Sequence, residues 1–488
     1  MKHRVDRAID VTVALTIAVL AVDAALSLFS GAYLNLGSGV WLSLARDIAD
    51  GIFYRPLWDG VEYGGTRYFP MLPLAIAGLH GAGLPLVAAG LWASMAGLVA
   101  LAVAVFFLLR RLAVPPRLAT LGAALAIAPY FVHQTAFAIR SEPLAAAFAV
   151  LGLAVLAPLD ERSSSTSRVL LAAGLFVSAF ATKLTCVYAP AAATAALLLA
   201  RRPVPALTLA AATTSLGLLF FAGMNMASNG RALESFHACA LAGSGIGSLF
   251  GTAVITRPLT LIGTSHLLTV VFLLTMAAII VRRHDWHRLP TLYVIAASGI
   301  TAVIFTSPGT ILTSQILDAY VAAIVLLVVG CAGAAGRLRM LGQGVLIGLT
   351  IWAAAQNLVR IAGMLEDDVV QSSREERRQL VAQVERCGGP ILSESPLVPI
   401  LAGQRPVLLD PFAFHVVAQN RPAVNDTLAE RVRRREFACV LLEHDPSTPR
   451  GAAWYKNVNM TEPVVSAVLT HYAYDRTVMG QRLYVARR

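Results

Sequence analysis

The sequence predicts an α-helical polytopic membrane protein with about eleven spanning helices and a small C-terminal extracytoplasmic α/β domain. Three observations predict it. Hydrophobic residues make up 57% of the chain and charged residues only 14%, whereas an ordinary soluble domain carries about 25% charged residues. The apolar residues fall into long runs separated by short basic clusters, the pattern of successive membrane helices. The segment from Arg360 to Arg488 breaks that pattern, with 17 basic and 15 acidic residues in short amphipathic stretches.

Taken in order, the predicted spans are 11–31, 84–109, 118–136, 143–158, 169–182, 184–200, 204–223, 266–281, 290–306, 316–335 and 341–358. Several are short for a bilayer, and the pair around "ATKLTC" reads as a broken or tilted hairpin. The N-terminal "MKHRVDR" precedes an apolar run with no convincing small-residue cleavage site, so this run is read as a retained first span. With the N-terminus cytoplasmic, the inner connections hold 15 basic residues, among them Arg110, Arg111, Arg162, Arg201, Arg202, Arg282 and Arg283. The outer connections hold seven: Arg46, Arg55, Arg67, Arg140, Lys183, Arg231 and Arg257. The positive-inside rule then places the long loop 32–83, the loop 224–265, the "SPGT" loop and the tail together on the outer face. The organisation expected is therefore a multispanning domain, 1–359, followed by a soluble extracytoplasmic domain, 360–488.

The net charge of +11 divides into +9 before Arg360 and +2 after it. The basic excess thus reads as topology, and no nucleic-acid-binding motif accompanies it. In the tail, "SREERRQLVAQVERC" and "TLAERVRRREF" read as helices, and "PILSE" and "ACVLLEHD" as strands. "RPVLLDP" reads as a strand that stops at its acid. The tail contains no phosphate-binding glycine loop, dinucleotide fingerprint or catalytic-triad signature.

Residues 45–70, "ARDIADGIFYRPLWDGVEYGGTRYFP", hold four acids, three arginines and six aromatics, far more than a connecting turn needs. Residues 40–52 predict an interfacial amphipathic helix with Trp41, Leu44, Ala45 and Ile48 on one face. Asp47 and Asp50 are most simply its solvated side, and Gly51 ends it. Asp59 and Glu62 lie beyond it in a glycine-punctuated loop with Trp58, Tyr63 and Tyr68. Aromatic faces beside carboxylates and an arginine suit a sugar, because rings stack on C–H faces and charged groups bond hydroxyls. Gly64 and Gly65 permit close backbone approach, and Arg67 is placed to hold a phosphate. An extracellular plug would have the same composition.

Ionisable residues within or beside spans are costly and invite a functional reading. Asp23 either pairs with an arginine inside the bundle or is a catalytic acid. Glu142 caps a helix start, with Arg140 beside it as a ligand contact. Lys183, flanked by apolar residues, needs an anion, either a neighbouring carboxylate or a bound phosphate. Asp318 reads as a bundle contact and His237 as a loop contact. No cofactor is evident, and no paired-aspartate or other metal-binding pattern stands out, although a divalent metal stays open. Of five cysteines, none has metal-ligand spacing. Cys387 and Cys439 can pair if the tail faces an oxidising compartment; two free thiols is the alternative.

The chain resembles GT-C-type glycosyltransferases, integral membrane enzymes that use polyprenyl-phosphate sugars, of the protein mannosyltransferase and aminoarabinose transferase kind. The resemblance rests on the order of several stretches. These are "WLSLARDIADGIFYRPL" leading to "YGGTRYFPMLPL", then "IRSEPLAAAF", "FATKLTCVYAPAA", "SPGTILTSQILDAY", "GPILSESPLVPILAGQRPVLLDPF" and "FACVLLEHD". It implies an active site at the outer membrane face, a lipid phosphate as leaving group, and a carboxylate of the first outer loop as base on the acceptor hydroxyl. The residues it brings forward are Asp47, Asp59 and Glu62 as catalytic acids and Arg67, Arg140 and Lys183 as phosphate partners. Trp58, Tyr63 and Tyr68 are the substrate-binding aromatics.

The family commonly places an acid directly after the first span. Here that place reads "NLGSGVW", with Gly37 and Ser38. The role therefore passes to Asp47, Asp59, Glu62 or Asp23, or else the protein is not catalytic. The function expected is transfer of a sugar from a polyprenyl-phosphate carrier to a cell-envelope glycan, lipid or protein. The alternative is a non-catalytic lipid-linked-sugar binding or transport protein. High alanine and arginine usage points to a GC-rich bacterium, hence to a bacterial plasma membrane.

Overall fold

The computed structural model describes residues 2–157, 165–240, 251–263, 265–281, 285, 287–306, 313–366 and 369–487. The "SPGT" stretch, part of the loop 224–265, and Arg162, Arg282 and Arg283 of the basic count lie outside the described residues. The chain divides into two compact units.

The first unit comprises Met1–Leu28, Ser94–Phe221 and Ser244–Asp367 and is helical. Among the described residues, five helices are long and apolar enough to cross a membrane: His3–Ser30, Leu86–Arg111, Pro203–Ala227, Thr313–Ala332 and Gly336–Glu366. The helices Tyr130–Phe137 and Glu142–Leu156 make a sixth if counted as one span bent by 112°. Shorter apolar helices include Pro116–Ile127, Thr166–Thr182, Tyr188–Leu199, His266–Val281 and Leu289–Ile304. The chain is a multi-pass membrane protein. Along Pro203–Ala227 the mean hydropathy is 1.7, yet only 11% of its most apolar window is buried by protein. So much exposed apolar surface is the mark of a lipid-facing helix.

The span expected at 118–136 is instead two helices, Pro116–Ile127 and Tyr130–Phe137. Pro129 caps the second one, because proline lacks the amide that would continue a helix through it. The "ATKLTC" break is present: one helix ends at Thr182 and the next begins at Tyr188. Small residues let these helices approach closely. A Cβ on Gly152 would lie 2.4 Å from the Phe176 ring, and one on Gly97 would lie 2.9 Å from the backbone nitrogen of Leu144.

The second unit comprises Phe29–Ala93, Ala222–Gly243 and Asp368–Arg488. Its sheet has the order β1-β2-β4-β3, with β1 (Ile391–Ser393), β2 (Cys439–Leu442), β3 (Tyr472–Val478) and β4 (Gln481–Ala486). β1 and β2 are parallel, and β4 runs antiparallel to both β2 and β3. The helices expected from "SREERRQLVAQVERC" and "TLAERVRRREF" are Val369–Arg386 and Pro422–Arg433. "RPVLLDP" forms no named strand; within it Leu408 makes an isolated parallel bridge to Tyr63. The β3–β4 hairpin was not expected. Its turn, Met479-Gly480, takes positive φ at both positions (50° and 70°), as a two-residue hairpin turn of the primed kind requires. Cys387 and Cys439 form a disulfide with Cα atoms 6.0 Å apart, joining the end of a helix to β2.

The first loop belongs to this unit by direct bonding. Tyr63 N donates to Val407 O at 2.8 Å, and Leu409 N donates to Tyr63 O at 2.9 Å. Arg46 donates to the carbonyls of Gln404 and Gly403. Gly39 packs so closely that an added Cβ would sit 2.1 Å from Leu397 N.

Candidate active site

The helix Leu36–Ala49 begins with a reciprocal cap. Asn35 accepts from Ser38 N at 3.2 Å, while Ser38 Oγ accepts from Asn35 N at 3.0 Å. Gly51, at φ +81°, follows its end. The helix is longer and more enclosed than the solvated interfacial element expected from 40–52: Val40, Trp41, Leu42, Leu44 and Asp47 are all buried in the protein.

Asp47 is the clearest departure from the sequence reading. It is 2% exposed, not solvated; only Asp50 is exposed. Arg55 Nε donates to Asp47 Oδ2 at 2.6 Å, and Arg405 Nε lies 3.3 Å from Asp47 Oδ1. Arg55 Nη1 also reaches Glu62 Oε2 at 3.2 Å and the Pro406 carbonyl at 2.9 Å. Burial pushes the Asp47 carboxyl up, with Arg55 and Arg405 acting in the opposite direction. Two arginines on one carboxylate make Asp47 a tie between loop and tail.

Glu62 is held by Arg55 but keeps 25% of its side chain exposed. Partial burial raises its pKa, again opposed by Arg55 and Arg405. A carboxyl raised in this way, and still reachable, is suited to accepting a proton. Asp59 is exposed, and its Oδ1 accepts from Val61 N (2.8 Å) and Glu62 N (2.6 Å). That Asx turn, with Gly60 at φ +93°, presents Glu62.

The aromatics divide. Tyr63 is fully buried and stacks edge-on with Phe414 at 5.4 Å, so it is part of the core. Trp58 and Tyr68 are partly exposed, and Tyr68 lies 4.4 Å from the Trp41 ring. The double glycine has a steric cause: a Cβ on Gly64 would meet Arg55 Cβ at 2.1 Å, and one on Gly65 would meet the Tyr63 hydroxyl at 2.2 Å. Arg67 is solvent-accessible, with its guanidinium 4.1 Å over the Phe412 ring and 5.6 Å from that of Tyr68. His237 is exposed.

In the helical unit, Lys183 Nζ donates to Asp318 Oδ2 at 3.2 Å, and Tyr188 OH donates to Asp318 Oδ1 at 2.7 Å. The anion that Lys183 requires is therefore a neighbouring carboxylate in this structure. Glu142 is 9% exposed at the start of its helix, and Arg140 is partly exposed beside it. Three residues beyond Lys183, Cys186 lines an apolar cavity of about 660 Å³, walled also by Phe176, Phe180, Pro190 and Phe221. Asp23 is fully buried and ion-paired with Arg360, with His133 Nδ1 at 2.9 Å. This is the bundle pairing that the sequence admitted for it.

Arg55, Arg360, Arg405, Asp410 and Phe412 escaped the sequence reading. Asp410-Pro411 carried a usable signal, since an acid followed by proline marks a helix start. Arg360 and Arg405 left none, because their partners Asp23 and Asp47 lie hundreds of positions away.

The fold is that of the GT-C membrane glycosyltransferases. Among solved structures that share it are ArnT from Cupriavidus metallidurans bound to undecaprenyl phosphate and AglB, the oligosaccharyltransferase of Archaeoglobus fulgidus, in complex with an inhibitory peptide and a dolichol phosphate. The ArnT match has a TM-score of 0.61 at 13% identity, covering 96% of this chain and 97% of that one. The AglB match has a TM-score of 0.54 at 12% identity, covering 96% of this chain and 74% of that one. No family model and no curated protein matches the sequence.

Proposed function

We propose that this protein transfers a sugar from a polyprenyl-phosphate carrier to a cell-envelope glycan, lipid or protein at the outer face of a bacterial plasma membrane. The observation that carries the reading is the make-up of the first-loop assembly on this fold: a reachable, raised-pKa carboxyl at Glu62 and an accessible cation at Arg67. Glu62 takes the proton of the acceptor hydroxyl, whose oxygen attacks the anomeric carbon. The bond to the lipid phosphate breaks, and the phosphate keeps the bonding pair. Cationic donors stabilise the departing charge, and in the loop-and-tail unit Arg67 is assigned to that task. Trp58 and Tyr68 offer partly exposed rings for the sugar. Asp59 orients the turn that carries Glu62. The Cys387–Cys439 disulfide supports an extracytoplasmic tail, which is the expected soluble domain.

A second reading, a non-catalytic lipid-linked-sugar binding or transport protein, is favoured by one observation. Gly37 and Ser38 stand where the family has an acid, and the nearest loop carboxylate, Asp47, is held by two arginines. Glu62→Gln separates the two. Transfer falling by about 10²-fold or more with donor binding kept supports catalysis by Glu62. Wild-type protein that binds donor and never turns it over supports the second reading.

A further inference from the structure

Resting on the reading of Arg67 as a phosphate contact, we propose that Phe412 and Asp410, from the C-terminal segment, are the positioning residues of that arginine. The tail then builds part of the donor site. The backbone bridge of Tyr63 to Val407 and Leu409 fixes the register of loop and tail. Arg67 lies four residues past Tyr63 and Phe412 three past Leu409, so both chains leave the same bridge and meet again at the stacked pair. Phe412 sits in the first turn of the helix Pro411–Asn420, whose N-cap is Asp410, with its side chain accepting from Ala413 N at 3.1 Å. Two residues on, the fully buried Phe414 packs on Tyr63 and anchors that turn in the core.

A guanidinium lying over a ring has one face covered and can turn its edge N–H groups toward an anion; Arg67 also interacts with the Tyr68 side chain and with Asp410. Phe412 thus covers one side of Arg67, and Asp410 caps the turn that carries Phe412. Asp410 is 2% exposed. Burial raises its carboxyl, with the Arg67 guanidinium and the capping amides acting to lower it. Asn caps a helix about as well as Asp, which gives a conservative variant that keeps the turn without the charge.

The test is undecaprenyl phosphate binding to the full chain in lipid nanodiscs, with melting temperature and the Cys387–Cys439 disulfide checked for every variant. Arg67→Ala is expected to weaken binding about tenfold, the loss of one charge-assisted contact. Phe412→Leu is expected to weaken it about threefold to fivefold, and Phe412→Tyr to restore it. Asp410→Asn is expected to bind as wild type, and Asp410→Ala to behave as Phe412→Leu. In the Arg67→Ala background, Phe412→Leu is expected to add nothing. An equal loss in that background makes Phe412 merely structural and overturns the inference, as does an unaffected Phe412→Leu where Arg67→Ala is impaired. If Arg67→Ala itself binds normally, the phosphate reading of Arg67 falls and the inference falls with it.

Discussion

Asp47 sits 2.6 Å from Arg55 and 3.3 Å from Arg405 with 2% of its surface open to water. Asp47→Asn would leave Arg55, itself 4% exposed, without its main counter-charge. Breaking a buried pair on one side costs about 3–5 kcal/mol, so a marked fall in melting temperature is expected. Full thermal stability with transfer abolished would instead make Asp47 the base. Glu443 provides a pH test in the tail. Burial, and then the Glu394 carboxylate, raise it from 4.5 to about 8. A raised carboxyl binds its proton more tightly in the folded chain, so its contribution is present below pH about 4.5 and is lost as pH climbs toward about 8. Hydrogen exchange in β1 and β2 should accelerate over that window in the wild type and stay flatter in Glu443→Gln; identical profiles would refute the assignment. At this scale, residue types were legible and partners were not. Glu62 and Arg67 could be picked out because their local composition is unusual. The burial of Asp47 could not, because it depends on Arg405, more than 350 positions away in the sequence.

The helix Leu36–Ala49 illustrates what an element adds. Its apolar residues and its terminal glycine are local and were read; its Asn35–Ser38 cap is just as local and was not. Its environment is not local: the face expected to meet water meets the tail. Gly39→Ala should detach it, since the new Cβ would lie 2.1 Å from Leu397 N and 2.7 Å from the carbonyl carbon of Pro396, both backbone atoms. Overpacking of this kind costs about 1–3 kcal/mol, and faster proteolysis of residues 40–60 would report it. Unchanged proteolysis would mean that helix and tail are not in register. Apolar helices such as His266–Val281 matched the reading because hydropathy alone specifies them. The break at 128–129 was missed, although Pro129 marks it, because the apolar run continues through it. The β3–β4 hairpin was missed because "YAYDRTVMGQRLYVA" mixes exposed charge into both strands.

For the whole molecule, the claim is a multi-pass membrane protein whose loop-and-tail unit lies outside the cytoplasm. Intact cells should show Cys387 and Cys439 oxidised and resistant to a thiol reagent until a reductant is added; reduced thiols with the residue-400 region reported inside the cell would reverse the topology and the active-site face with it. The multi-pass architecture was legible because the run of apolar spans survives any error in single boundaries. The joining of 29–93 to the tail was not, because it is made by backbone bonds such as Tyr63 to Val407 that no local pattern announces. The most direct test of the central claim is a transfer assay with purified protein in lipid, a panel of radiolabelled polyprenyl-phosphate sugars, and Glu62→Gln and Arg67→Ala alongside. The account predicts turnover of at least one donor, lost in both folded variants. Turnover that both variants retain would contradict the site, and a wild type that binds a donor without ever transferring its sugar would contradict the enzyme.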